Sequence, residues 1–151
     1  MLQLARAQDR ETVNILALQV HEMHVRWRPD LFVPVKELYP QERFEAEIKQ
    51  RQLYVAKIDG AAVGYVRLEI RQLDVPGMSK RRILLVEEFC VHEACRNQGI
   101  GHAMMADVRA LATAFGCTDL ELGVYPQNDE AVGFYQKCGF TIRKIDMHRT
   151  V

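Results

Sequence analysis

The stretch Arg96-Asn97-Gln98-Gly99-Ile100-Gly101 lies between an apolar run at 83–91 and a periodic segment at 102–115. It commits the second half of the chain to a strand, a tight turn and a helix. A helix that opens straight from a strand leaves its first N–H groups without intrahelical acceptors, and such groups attract anions. No Ser, Thr or Asp stands within 96–101 to cap this helix. Gly99 and Gly101 let a ligand approach the backbone closely, so an external anion can take the place of the missing cap.

The other elements follow from periodicity and punctuation. Residues 2–5 read as a short strand. Asp9 reads as the cap of a helix from Arg10, whose Val13, Leu16, Ala17, Val20, His24 and Trp27 fall on one stripe until Pro29 stops it. Residues 28–40, with Pro29, Pro34 and Pro40, read as a loop exposing Phe32 and Tyr39, followed by a helix at 41–50. Strands at 53–58 and 62–70, joined at Asp59-Gly60, predict an antiparallel hairpin. After a polar loop at 74–80, the unbroken Ile83-Leu84-Leu85-Val86 predicts a central strand over 82–91, buried on both faces.

Beyond the turn, Met104, Val108, Leu111 and Phe115 share a helix face, and Gly116 stands where a left-handed C-terminal residue belongs. Leu120, Leu122 and Val124 alternate as a strand. Asn128 caps a last helix that Gly139 closes, and 140–148 returns as a strand. The sum is a mixed α/β chain, hairpin-rich in its first half. A doubly wound dinucleotide fold is excluded, because its G-x-G-x-x-G stands near the front of a βαβ array with an acidic residue about 20 positions on. Here the glycines come late and are spaced differently.

Composition sets the bounds. A chain of 151 residues, 48% hydrophobic, has the size of one domain spanning 1–151. Twenty basic and twenty acidic residues cancel, which argues against nucleic-acid or acidic-membrane partners. No run approaches the ~20 apolar residues of a membrane span, and the first residues are too short in apolar length for a signal peptide, so a cytoplasmic location is expected. Cys90, Cys95, Cys117 and Cys138 form no C-x-x-C pair and lack zinc-like His spacing, so they read as reduced structural residues, with no metal expected.

Taken together, Arg96-x-x-Gly99-x-Gly101, the preceding Phe89-Cys90-Val91, the later Asn128 and the ending Phe134-Tyr135-x-x-x-Gly139-Phe140 resemble the GNAT acetyltransferase superfamily. The motifs cover the second half; the first half matches by element order alone. The resemblance implies a splayed, mixed, mostly antiparallel sheet with helices on both faces, and acetyl-CoA bound where two central strands part. The pyrophosphate would meet the main chain of Gln98, Gly99, Ile100, Gly101 and His102, with Arg96 and Asn97 beside it. The pantetheine arm would pair with main-chain atoms of Phe89, Cys90 and Val91, and Asn128 would contact it besides capping its helix.

The implied reaction is attack of a neutral amine on the thioester in a ternary complex, with coenzyme A leaving as thiolate. An alkylamine of pKa about 10.4 must lose a proton first. Tyr135 matches the family's tyrosine near the sulfur, where a phenol can protonate the leaving group. For the base, Glu87 and Glu88 alternate in direction, so only one faces the cleft. Glu87 shares parity with Leu85 and Val91, where family members tend to carry such groups, and is assigned the base. A bulge near the strand end would hand that place to Glu88.

The first helices and their loop offer the acceptor site His21, His24, Trp27, Arg28, Phe32 and Tyr39. Trp27 would hold an amine by cation–π contact and Arg28 a carboxylate, with Glu88 grouped beside them. Gly123 stands where amino-terminal acetyltransferases for ribosomal proteins tend to carry an acid, which favours a small amine over a peptide terminus. The alternatives are an enzyme for protein or peptide amines, a non-catalytic acyl-CoA-binding or sensing domain, and an interaction module whose exposed strand edges support a homodimer.

Overall fold

The computed structural model describes residues 1–151. Five strands, β1 (Leu2–Leu4), β2 (Leu53–Ile58), β3 (Ala61–Leu73), β4 (Arg81–Val91) and β5 (Asp119–Leu122), lie in one sheet in chain order. The first four are antiparallel to their neighbours, and β5 joins β4 in parallel. Helices α1 (Arg10–Trp27) and α2 (Gln41–Lys49) cover one face; α3 (Ile100–Ala114) and α4 (Asp129–Lys137) cover the other. This is the mixed, mostly antiparallel sheet flanked on both faces that the motifs implied. No helix is long and apolar enough to cross a membrane.

The β2–β3 hairpin turns on Asp59 and Gly60, both left-handed at φ 49° and 83°. Two left-handed residues match the strand twist, which is why Asp-Gly closes the expected hairpin, with Ile58 opposite Ala61. On one face, Val13, Leu16 and Ala17 of the α1 stripe pack with Phe44 of α2 and with Leu53, Val55 and Tyr65 of the sheet. On the other, Met105 and Val108 of α3 pack with Val66, Leu84 and Val86. Burying a side chain the size of Phe44 stabilises by roughly 1.5–3 kcal/mol.

Four local expectations change. Asp9 makes no side-chain cap to α1. Its carboxylate accepts from the Arg6 N–H at 2.9 Å and pairs with Lys57 Nζ at 2.7 Å, joining the start of α1 to β2. Tyr39 is fully buried rather than exposed, because Asn14 holds its backbone and its ring packs edge-on against Phe44 and Tyr65. The strand after α3 stops at Leu122, before Val124. Residues 140–148 form no strand, since the chain sets no neighbouring strand beside them.

Candidate active site

The site is built around one extra residue in β4. Arg67 lies opposite Glu88 but Leu68 opposite Val86, so Glu87 is bulged out of the ladder. A bulge shifts the alternation of side chains by one. Before it, Leu84 and Val86 face α3; after it, Cys90 faces α1, while Phe89 packs on the α3 side. The pairing of β4 with β5 also ends here, at Val86 opposite Leu122, although β4 runs on to Val91. The two central strands therefore part, and one edge of β4 is left open. The His92 N–H bonds the Val63 carbonyl across β3. By the alternation of an antiparallel ladder, the main-chain groups of Phe89 and Val91 then point into the gap, and those of Cys90 point to β3.

At the end of β4 the turn takes two left-handed residues, Asn97 at φ 60° and Gly99 at φ 80°. Gly99 occupies the N-cap of α3 with no side-chain cap, and its carbonyl accepts from the Ala103 N–H at 3.1 Å. The N–H groups of Ile100, Gly101 and His102 thus open outward without intrahelical acceptors, forming a concavity suited to an anion. The helix starts inside the motif, two residues earlier than periodicity alone predicted. Arg96 is held in place, its Nε donating to the Val91 carbonyl at 3.2 Å, and the Gln98 side chain closes the turn on Ala94 at 3.2 Å. Gly101 has a packing reason as well: a Cβ there would meet the Phe134 ring at 3.1 Å. His102 stacks edge-on against that same ring.

Helix α4 brings the remaining donor-side groups. Asn128 accepts from the Ala131 N–H at 3.1 Å, so the expected cap is present. Tyr135 stands edge-on to Phe89, Phe134 and Phe140, on the α3 side of the gap. Burial, then the neighbouring Cys138 and Cys90, push its phenol up to about 12, so it stays protonated at every physiological pH. Burial likewise pushes the Cys90 thiol up to about 12, which leaves it a poor nucleophile.

Across the sheet, Glu88 points to the α1–α2 side. Its Oε2 accepts from the hydroxyls of Tyr39 at 2.8 Å and Tyr65 at 2.6 Å, and Arg43 reaches its Oε1 at 3.3 Å. Burial raises both phenols, which keeps them neutral donors. Arg43 also lies over the Tyr39 ring, 4.1 Å from its centroid, and pairs with the buried Glu47. Glu87 instead pairs with Arg71 at 3.0 Å, which in turn binds Glu69. The bulge therefore turns Glu88 to the α1–α2 side, a direction that parity counting over a regular strand does not deliver.

At the C-terminal end of α1, His24 stacks on Phe32 at 5.0 Å and lies 5.2 Å from the Tyr125 ring and 5.9 Å from Trp27. Burial, then His21, lower its pKa, while the charge of Glu88 acts the other way. Arg28 is engaged by Asp30 at 2.8 and 2.6 Å, and this pairing holds the Asp30 carboxyl down at about 2. Sequence reasoning missed Tyr65, Arg43 and Tyr125. Tyr65 sits opposite Cys90, one alternate position from Glu88, so knowledge of the register would have found it.

The parted central pair, the uncapped turn beside it, and Tyr135 and Glu88 on opposite faces of the sheet mark out the candidate site. Residues 18–140 match the model of the acetyltransferase (GNAT) family, and the chain belongs to that family. Its activity class is N-acetyl transfer. It is 30% identical over 122 residues to an N-alpha-acetyltransferase of Sulfurisphaera tokodaii, covering 74% of this chain and 71% of that one. It is 26% identical over 87 residues to an aminoglycoside N(6')-acetyltransferase type 1 of Salmonella typhimurium, and there spans 60% of the relative's length. A crystal structure of a mutant BH1408 protein from Bacillus halodurans superposes with a TM-score of 0.94 at 28% identity, covering 100% of this chain and 99% of that one.

Proposed function

We propose that this chain transfers the acetyl group of acetyl-CoA to the primary amine of a small molecule by direct attack in a ternary complex. The observation that carries the reading is the gap beyond Val86, with unpaired main chain along one wall, an anion turn at one end, Tyr135 on one face of the sheet and Glu88 on the other. The uncapped N–H groups at Ile100, Gly101 and His102 fit the pyrophosphate. Phe89 and Val91 offer the pantetheine arm ladder partners, with Cys90 beside them contributing packing.

With the thioester in the gap, the amine enters from the α1–α2 side, where Glu88 accepts its proton directly or through one water, and His24 lies within electrostatic reach. The carbonyl carbon becomes tetrahedral, the C–S bond breaks, and Tyr135 protonates the departing sulfur. The raised thiol of Cys90 argues against an acyl-cysteine intermediate. In this reading Glu87 keeps its ion pair with Arg71 and takes no part in the proton transfer. Trp27 and Tyr125 flank the incoming ammonium by cation–π contact before its proton is removed. Arg28, already engaged by Asp30, offers little to a substrate carboxylate.

The N-alpha-acetyltransferase relative favours a second reading, in which the acceptor is the amino terminus of a peptide. An assay of thiol release over a panel of polyamines, amino acids, aminoglycosides and short peptides separates the two. The first reading requires turnover on a small amine; turnover confined to peptides overturns it. Millimolar acetyl-CoA raises the melting temperature if it binds the native state, and the absence of any shift overturns both.

A further inference from the structure

One buried charge on the α1–α2 face has no part in the steps above. Glu47 of α2 is 7% exposed, and a carboxylate taken out of water is costly to keep unless opposite charge and hydrogen bonds offset the loss. Its Oε1 accepts from Arg43 Nε at 2.9 Å and lies 3.1 Å from Arg67 Nε, while its Oε2 is buried without a hydrogen-bond partner. What this carboxylate secures is Arg43. The guanidinium is fixed at three points: Nε on Glu47, one terminal nitrogen on the Leu38 carbonyl at 2.7 Å, and its central carbon 4.1 Å from the centre of the Tyr39 ring. The other terminal nitrogen is left to reach Glu88 Oε1 at 3.3 Å.

A count of acceptor positions then separates the two oxygens of Glu88. A carboxylate offers about four, two on each oxygen. The hydroxyls of Tyr39 and Tyr65, at 2.8 and 2.6 Å, fill Oε2. Oε1 receives Arg43 alone and keeps one position open, on a side chain that is 30% exposed and so within reach of a ligand. The last torsion of a glutamate is soft, and two donors on one oxygen leave the carboxylate plane free to turn about it. A contact on the other oxygen stops that rotation.

We propose that Arg43 is a positioning residue: anchored by Glu47, it sets the direction of Glu88 Oε1, and Oε1 is the oxygen that takes the proton of the acceptor amine. The inference rests on the reading of Glu88 as the base. In the step itself an N–H bond of the ammonium breaks, its electron pair stays on nitrogen as the nucleophile, and the proton passes to Oε1 and from there to solvent. Because guanidinium is a rigid planar fork, it can hold Glu47, Leu38 and Glu88 together, which the single ammonium of a lysine cannot.

Steady-state kinetics with the fastest acceptor of the panel above test this, on Arg43→Gln, Glu47→Gln, Glu88→Gln and the double variant Arg43→Gln/Glu88→Gln. Arg43→Gln falls at a half-exposed position and should keep both the KM for acetyl-CoA and the acetyl-CoA-dependent rise in melting temperature. Its kcat should fall by about 10–10²-fold, the cost of a misaimed reacting group. Glu47→Gln should lower kcat in the same direction by less. If it fails to fold, the Arg43 variants decide. In the Glu88→Gln background, Arg43→Gln should cost no more than about twofold further, since the two residues act as one unit. Wild-type kcat in Arg43→Gln, equal losses in both backgrounds, or an effect confined to stability or to the KM for acetyl-CoA each overturns the positioning role and leaves Glu88 as the base. A folded Glu47→Gln with wild-type kcat overturns the anchoring by Glu47. Wild-type turnover in Glu88→Gln, or no turnover across the panel, instead overturns the reading on which the inference rests.

Discussion

In the proposed mechanism the two faces of β4 meet their ligands in different chemical languages. On the α3–α4 face recognition is by main chain and shape: uncapped N–H groups at 100–102, an open edge at Phe89 and Val91, and a glycine shaved to fit Phe134. On the α1–α2 face it is by side chains, with Tyr39, Tyr65 and Arg43 converging on one carboxylate, and His24, Phe32 and Tyr125 packed beside it. A backbone site suits a ligand that never changes. A side-chain site can be rebuilt for a new acceptor one residue at a time.

The comparison breaks most sharply at Glu88. Glu88→Gln is expected to lower kcat by about 10²–10⁴ with KM for acetyl-CoA unchanged, whereas Glu87→Gln stays close to wild type. Steady-state kinetics on both variants check it, and a reversed order would return the base to Glu87. Tyr135→Phe tests the opposite face, with an expected loss in kcat on the order of 10²-fold. Because the phenol is pushed up to about 12, it remains protonated from pH 6 to pH 9, and the loss should be the same across that range. A ratio that varied with pH would show another group as the acid.

Gly101→Leu probes main-chain recognition. The Phe134 ring, 3.1 Å from the new Cβ, must shift, costing about 1–3 kcal/mol of stability and abolishing the acetyl-CoA-dependent rise in melting temperature. Thermal denaturation with and without acetyl-CoA reads both effects. Tyr39→Phe removes one donor from Glu88 and should cost about 1–2 kcal/mol in chemical denaturation, while leaving cofactor affinity intact. The smallest effect belongs to His24. Its pKa is lowered in the folded state, so below its ordinary value near 6.5 the unfolded chain binds the proton more readily. Stability supplied by the neutral ring is present above that pH and declines as pH falls through the window. In His24→Gln that part of the decline should vanish from denaturation curves taken between pH 7 and pH 5.

The difference between the faces also explains what could be read from the chain. The anion turn, Asn128 and Tyr135 depend on spacing along one continuous strand-turn-helix or helix, and spacing is visible in sequence. The supports of Glu88 come from the 28–40 loop, α2 and β3, and they meet only through sheet register. The bulge leaves a single trace, two acids closing an apolar run, which parity counting cannot convert into a direction. Tyr39 reads as exposed because it sits in a loop punctuated by prolines; Asn14, on a different element, is what draws it inward. The 140–148 segment has strand composition without a strand partner in its own chain, so local pattern and pairing part company there.

The extra residue at position 87 has a further consequence for inheritance. In the proposed mechanism, which of the two acids lies on the acceptor side is set by a residue count, and no individual side chain enforces that count. Substitutions can therefore drift through the acceptor face, changing what is acetylated, without disturbing how the acetyl group is delivered. Deletion of Glu87 would only close the bulge, leaving Glu88 opposite Arg67 and Phe89 opposite Val66 on the faces they already hold, so the proposed machinery should survive the loss.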